Sequence, residues 1–269
     1  MYYIDVMNLA FAVLVFIAAI AFPACSVQNL PVPDGDEQIV TKSEKGAKSP
    51  VLVELYTSEG CSSCPPADNL LIMLDRDQPI DGAEIITLGF HVDYWDHDGW
   101  KDRFSSAEYT KRQESYAKQF DSGQTYTPQA VIDGKIETVG NNDRKVKDAI
   151  TSRLSVAKAT ISAEVTTEKI KFDISDIPSK KASTVYLAVA ENGLVSDVGA
   201  GENRGERLSH VSVVRDLRAI GKIDGGQTNA KFEVAIPTDA EWKTTNLRYV
   251  VFVQENGSMR ILGVKKIAR

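Results

Sequence analysis

Along the chain the apolar positions change period several times, and each change predicts an element. Val51 to Tyr56 is a short, nearly continuous apolar run that predicts a buried strand. Ala67, Leu70, Leu71 and Leu74 then recur at helical spacing, and Glu84 to Phe90 predicts the next strand. Tyr109, Tyr116, Ala117 and Phe120 mark one face of a second helix, with Ser105 and Ser106 as candidate caps. Gln129 to Ile132 and Ile136 to Val139 predict a hairpin about Asp133-Gly134, a strong turn pair. Asn142 or Asp143 caps a last helix that carries Val146, Ala149, Ile150 and Leu154.

This order is strand, helix, strand, helix, strand, strand, helix, which short right-handed connections fold into one mixed sheet with helices on its faces. It is the thioredoxin order. After about Lys158 the helical period disappears: Ile161, Ala163 and Val165, then Ile170, Phe172 and Ile174, then Val185, Leu187 and Val189 alternate with polar residues. Phe232, Val234 and Ile236 continue the alternation, and Tyr249 to Val253 and Ile261 to Val264 flank the turn Asn256-Gly257. The expected fold class is therefore an α/β thioredoxin-like domain over 50–156, followed by an all-β, sandwich-like domain over 157–269 that is nearly free of helix.

Before Pro50 no core begins. Leu9 to Phe22 is an apolar run shorter than the about 20 residues of a membrane span, and Pro23-Ala24-Cys25 and a polar stretch follow it. Residues 1–25 therefore read as a signal peptide, although Asp5 and no Lys or Arg precede the run. Cys25 resembles the lipidated cysteine of a bacterial lipoprotein signal, the alternative being ordinary cleavage near Ala24. The expected location is outside the cytosol, periplasmic or anchored to a membrane through that lipid. Residues 26–49, with Pro31, Pro33, Gly35 and Gly46, read as a flexible tether. The 269 residues carry a formal net charge of -6 and no basic stripe, which argues against nucleic acid as a partner.

The chemistry concentrates in Cys61-Ser62-Ser63-Cys64, between a predicted strand and a predicted helix. Two intervening residues let both sulfurs meet within one turn, and a helix start favours the thiolate anion. Cys61 is expected to be the more exposed attacking thiol, with Cys64 the more buried resolving one. Half of a zinc site and a fixed structural disulfide are the alternatives, but zinc wants four ligands and the remaining cysteine is the distant Cys25. Thr127-Pro128, directly before a predicted strand, is a candidate cis bond facing the cysteines, since cis peptides are essentially a proline feature.

The segment from His91 to Trp100 follows the second predicted strand, at the sheet edge where catalytic loops gather. His91 and Asp93 are candidates for a proton relay, and Tyr94 and Trp95 for a substrate groove. Core packing by Trp95 and Trp100 accounts for the same residues equally well. Soft-metal handling, of copper for example, by Cys61, Cys64 and His91 is an alternative reading; the expectation is no bound metal and no cofactor.

Glu54 to Asp68, His91 to Asp96, Gly99-Trp100, Arg112-Gln113 and Tyr126 to Gln129 together resemble the secreted bacterial proteins known as domain of unknown function 1223. Gly201 to Gly205, Leu208, His210 and Val213 to Arg215 extend the resemblance into the second half. The resemblance implies a thioredoxin-like fold and export, but no established role. The glycine-rich motif reads as a structural buttress; the alternative brings Arg204, Arg207 and His210 to the cysteines. The expected function is thiol-disulfide oxidoreduction through Cys61 and Cys64 on exported proteins, together with a redox partner. The alternatives are the metal-handling module and a non-catalytic interaction scaffold.

Overall fold

In the computed structural model, which describes residues 48–121, 123–166 and 168–268, the first apolar run becomes β1 (Ser49–Thr57). The run is continuous because both faces are covered: Val51, Val53 and Leu55 meet one core, Leu52 and Tyr56 another. α1 (Pro65–Asp77) opens on two prolines, whose missing N–H groups would have no helical partner there. It ends where Gln78 turns left-handed and its side-chain amide donates to the carbonyls of Leu74 and Asp75. β2 (Ala83–His91) runs parallel to β1. α2 (Ala107–Gln119) is capped by the Ser106 hydroxyl, which accepts from the Glu108 N–H at 3.2 Å. β3 (Gln129–Ile132) and β4 (Ile136–Val139) form the expected hairpin, with Asp133 and Gly134 both at positive φ. α3 (Asp143–Ser152) is capped by Asn142, which accepts from the Lys145 N–H.

The rest of the described chain is strands: β5 (Thr160–Val165), β6 (Lys169–Ser175), β7 (Ser183–Glu191), β8 (Leu194–Asp197), β9 (Arg207–His210), β10 (Val213–Ile223), β11 (Ala230–Ala235), β12 (Leu247–Glu255) and β13 (Ile261–Ala268). A 3-10 turn at Thr244–Asn246 interrupts them. The alternation after Lys158 therefore does mark strands.

Their assembly differs from the expectation. One eight-stranded mixed sheet runs β13-β12-β7-β10-β2-β1-β3-β4, with four strands from each half of the chain. An α/β thioredoxin-like domain followed by a separate all-β domain is thus not the fold; it is a mainly β structure built on one large sheet. The seam lies where Val213 of β10 pairs with Gly89 of β2 and the Gly89 N–H donates to Ser212 O at 2.8 Å.

Packing gives the reason. α2 lies across both halves, so Tyr109 and Tyr116 share a core with Phe90 of β2, Ala188 of β7 and Phe252 of β12. A three-stranded sheet, β11-β6-β5, covers the other face of β7 and β12 through Ile170, Phe172, Leu187 and Val251. Each such buried side chain contributes about 1.5–3 kcal/mol relative to exposure, and separating the halves would expose the shared layer. The β8–β9 hairpin stands apart from the large sheet, and β9 packs against α1. The expected signal peptide over 1–25, Cys25 and the expected tether up to residue 47 lie outside the described residues.

Candidate functional site

β1 delivers the chain into the tight turn Ser58-Glu59-Gly60, and the cysteines follow. Cys61 and Cys64 are joined by a disulfide, with Cα atoms 5.4 Å apart. The turn closes through Cys64 N–H to Cys61 O at 3.1 Å, and Cys64 then caps α1, accepting from the N–H groups of Ala67 and Asp68. Both half-cystines are 0% exposed, so the expected difference in exposure is absent from the oxidised form; Ser62 and Ser63 form the exposed surface above them. The Ser63 hydroxyl lies 3.4 Å from Cys61 Sγ.

A strap from the second half of the chain holds this turn. The loop between β8 and β9 places the buried Asn203 amide on two carbonyls, Glu59 O at 2.8 Å and Cys61 O at 3.0 Å. Its neighbour Glu202 accepts from the Ser62 N–H at 3.0 Å, and the hydrogen bonds from the Ser62 hydroxyl and N–H hold the Glu202 carboxyl below its ordinary range. The glycine-rich motif therefore buttresses the cysteine turn, and Gly201 and Gly205 supply its positive φ values.

Around the turn lies a buried cluster of two histidines and three carboxyls. His91, at the end of β2, donates from Nδ1 to Asp102 Oδ2 at 2.6 Å. Asp102 also accepts the N–H groups of Glu59 and Phe104, both at 2.9 Å. Burial alone would lower the His91 pKa, but the Asp102 charge and hydrogen bond outweigh it and raise it. Burial likewise works to raise Asp102, yet His91 and the N–H donors hold it below the ordinary aspartate range. Glu59 accepts from Trp100 Nε1 at 3.0 Å, while its second oxygen lies 3.3 Å from His210 Nε2. That approach permits ion-pair attraction without hydrogen-bond alignment, and both His210 nitrogens are left without a hydrogen bond. Asp68 lies one helical turn beyond Cys64 and accepts from the Thr57 hydroxyl at 3.2 Å. Burial raises its pKa, partly offset by His210 and His91.

The loop after β2 covers the other side. Trp95, in the 3-10 turn Asp93–Trp95, donates from its indole to Thr127 Oγ1 at 2.7 Å. Its backbone carbonyl presses on Gly60, where an added Cβ would lie 2.7 Å from that oxygen. Trp95 thereby joins the cysteine turn to Thr127-Pro128, whose peptide bond is cis as expected. Tyr94 is 37% exposed and donates to Gln113 Oε1 at 3.1 Å. Gln113 in turn donates to Tyr126 O and Gln129 Oε1, so α2 ties this loop to β3.

The family described as protein of unknown function DUF1223 matches over residues 52–254. The chain belongs to the DUF1223 family. A crystal structure of an Agrobacterium tumefaciens protein, from a structural genomics programme, is similar with a TM-score of 0.68 and 26% identity, over 84% of this chain and 96% of that one. A domain of the outer membrane lipoprotein Omp28 from Porphyromonas gingivalis matches at 18% identity over 41% of this chain and 87% of that one; its TM-score of 0.26 carries no argument. No curated protein matches.

In this DUF1223 chain the residues singled out by sequence sort into two groups. Cys61, Cys64, His91, Trp95, Thr127 and Pro128 belong to one connected region. Asp93 instead binds the Thr110 hydroxyl at 2.5 Å, tying its turn to α2. Glu59, Asp68 and Asp102 have no role assigned from sequence, and Glu202 and Asn203 enter only as part of the buttressing glycine-rich motif, because strand and helix patterns say nothing about which buried polar groups meet. Glu59 and Asp68 flank the cysteines directly, and a carboxylate in an otherwise buried strand-to-helix turn was the available signal. Among the described residues, no group of three or more His, Cys, Asp or Glu is arranged to hold a metal ion.

Proposed function

We propose that this protein carries out thiol–disulfide exchange outside the cytosol, with Cys61 and Cys64 as the couple and cysteines of other exported proteins as substrates. What supports the reading is the placement of a one-turn disulfide at a helix start beside a buried cluster of two histidines and three carboxyls. A bond spanning three residues closes too short a loop to add much to stability. Buried ionisable groups without full hydrogen bonding each cost about 1–3 kcal/mol, an expense that accumulates where protons must be exchanged.

In the reducing direction for this couple, a substrate thiolate attacks Cys61 Sγ, the Cys61–Cys64 bond breaks and Cys64 leaves as a thiolate. In this reading Asp68, one turn along α1 and raised in pKa by burial, supplies the proton that Cys64 takes up. A second substrate thiol then displaces Cys61, so two electrons and two protons enter the protein and the substrate dithiol becomes a disulfide. The reverse sequence reduces a substrate disulfide. Because both half-cystines are covered, exchange requires the Ser62-Ser63 turn or its strap to open.

Equilibration of the full chain in glutathione buffers tests this: a reversible two-electron couple is expected. Cys64→Ala should accumulate mixed disulfides with exported proteins and Cys61→Ala few. An irreversible couple, with no trapping by either variant, would end the reading.

A further inference from the structure

Few backbone donors remain near Cys61 for a thiolate. The helix start that favours an anion in principle is blunted here, since Pro65 and Pro66 have no N–H and the next two N–H groups, of Ala67 and Asp68, go to Cys64 O. The Cys61 N–H donates to Ser58 O and that of Cys64 to Cys61 O. Ser62 and Ser63 are what is left in the turn. The Ser62 N–H is already taken, at 3.0 Å, by a carboxylate brought from 140 residues away.

We propose that Glu202 is a positioning residue that holds back ionisation of Cys61 in the reduced protein, by occupying the Ser62 donor and placing a negative charge beside the nascent thiolate. The inference rests on the exchange function proposed above and specifies how the strap regulates it. Asn203 fixes the strap through Glu59 O and Cys61 O, which keeps the Glu202 carboxylate within reach of the Ser62 N–H when the disulfide opens. Its depressed pKa keeps it charged throughout the range in which a thiol titrates. A poorly ionised Cys61 is a slow attacker, and wherever the thiol ionises, its repulsion favours the disulfide. Partner binding that lifts the strap would remove the donor competition and the charge together, which confines reactivity to docked substrates.

The test compares the wild-type chain with Glu202→Gln, both fully reduced. Glutamine keeps an oxygen to accept from Ser62 while removing the charge. Glu59, Asp68, Asp102, His91 and His210 below the turn, and His97 beside Glu202, act on the thiol equally in both proteins. Glu202 is exposed, so the effect is scaled as a surface interaction: the ionisation constant of Cys61, from peptide-resolved alkylation against pH, should rise about two- to fivefold. Alkylation at neutral pH should quicken by the same factor, and the difference should shrink as salt is added, which loss of a merely structural contact would not produce. Glu202→Lys should move the constant further in the same direction. A reversible glutathione couple combined with unchanged Cys61 ionisation at low salt overturns this inference alone. An irreversible couple overturns the exchange function with it.

Discussion

The side-chain amide of Asn203 donates to the carbonyl of Cys61 across 142 residues of sequence, and to that of Glu59 across 144. These two bonds fasten the strap between β8 and β9 to the cysteine turn. The Cys61 carbonyl also accepts from Cys64 N–H, but the Glu59 carbonyl relies on Asn203.

Asn203→Ala should therefore lower the unfolding free energy of the oxidised protein by about 1–3 kcal/mol, the cost of a buried acceptor left unpaired. Asn203→Asp, which places a carboxylate against two carbonyls, should cost more at neutral pH than the alanine. Denaturant titration of both variants reads this directly. Alanine and aspartate variants as stable as the wild type would show that the strap is not held by this amide.

The His91–Asp102 pair predicts a pH dependence. His91 is raised above its ordinary 6.5, so its contribution is complete below that value and is lost as pH rises through the folded pKa. Asp102 is depressed below its ordinary 3.8, so its share is present above that value and is lost as pH falls through its folded pKa. Asp68 is raised by burial, so its share has the opposite sign and is lost as pH rises from its ordinary 3.8 through its folded pKa, and comparison with Asp102→Asn is what separates the His91 pair from it. Asp102→Asn should cost about 3–5 kcal/mol near neutrality, as expected for breaking a buried pair, and should flatten the alkaline limb. An alkaline loss of stability that persists unchanged in Asp102→Asn would assign it to another group.

Much of the local structure was legible in the sequence, and the architecture was not. The hairpin at 129–139 and the caps Ser106 and Asn142 appear as predicted, because turn chemistry and capping are decided by neighbours in the chain. β10 gave no clear signal, yet it joins the two halves of the sheet. Bulges between Val214 and Asp216 and between Ala219 and Gly221 break its period-two pattern, and its middle is half-exposed. Gly221 is required there because the Phe232 ring occupies the space of a Cβ. Without that strand the two halves read as two domains. The site divided in the same way: Cys61, Cys64, Thr127-Pro128 and the glycine-rich buttress could be read from motifs, whereas the atoms that Glu202, Asn203 and His210 meet are set by the fold.

Gly60 gives a prediction about the loop that covers the turn. A Cβ at this position would lie 2.7 Å from Trp95 O and 3.3 Å from Trp95 Cβ, and the near atom is backbone, which cannot rotate away. Gly60→Ala should therefore push Trp95 outward, weaken its indole bond to Thr127 and cost about 1–3 kcal/mol. A blue-to-red change in tryptophan emission, with quicker reduction of the disulfide by a small dithiol, is the expected signature. Unchanged emission and stability would mean that the loop absorbs the methyl group without moving.

Arg112 is the residue in this fold for which lysine is the most informative replacement. Its guanidinium is buried between the halves of the sheet, donating to Glu54 of β1 at 2.7 Å, to Gln254 of β12 at 3.1 Å and to Tyr116 of α2 at 3.2 Å. It also lies over the rings of Phe90, Tyr116, Tyr186 and Phe252. Burial alone would lower the arginine pKa, but Glu54 more than compensates and holds it charged. A lysine could retain the charge opposite Glu54, but it lacks the planar fork that reaches three partners on three elements. Arg112→Lys should therefore lose most of the about 3–5 kcal/mol expected for removing one partner of a buried pair. Arg112→Met combined with Glu54→Leu, which removes both charges and keeps the volume, should recover part of that loss. The comparison by denaturant titration separates charge from geometry: full stability in Arg112→Lys would show that charge alone holds β1, β12 and α2 together.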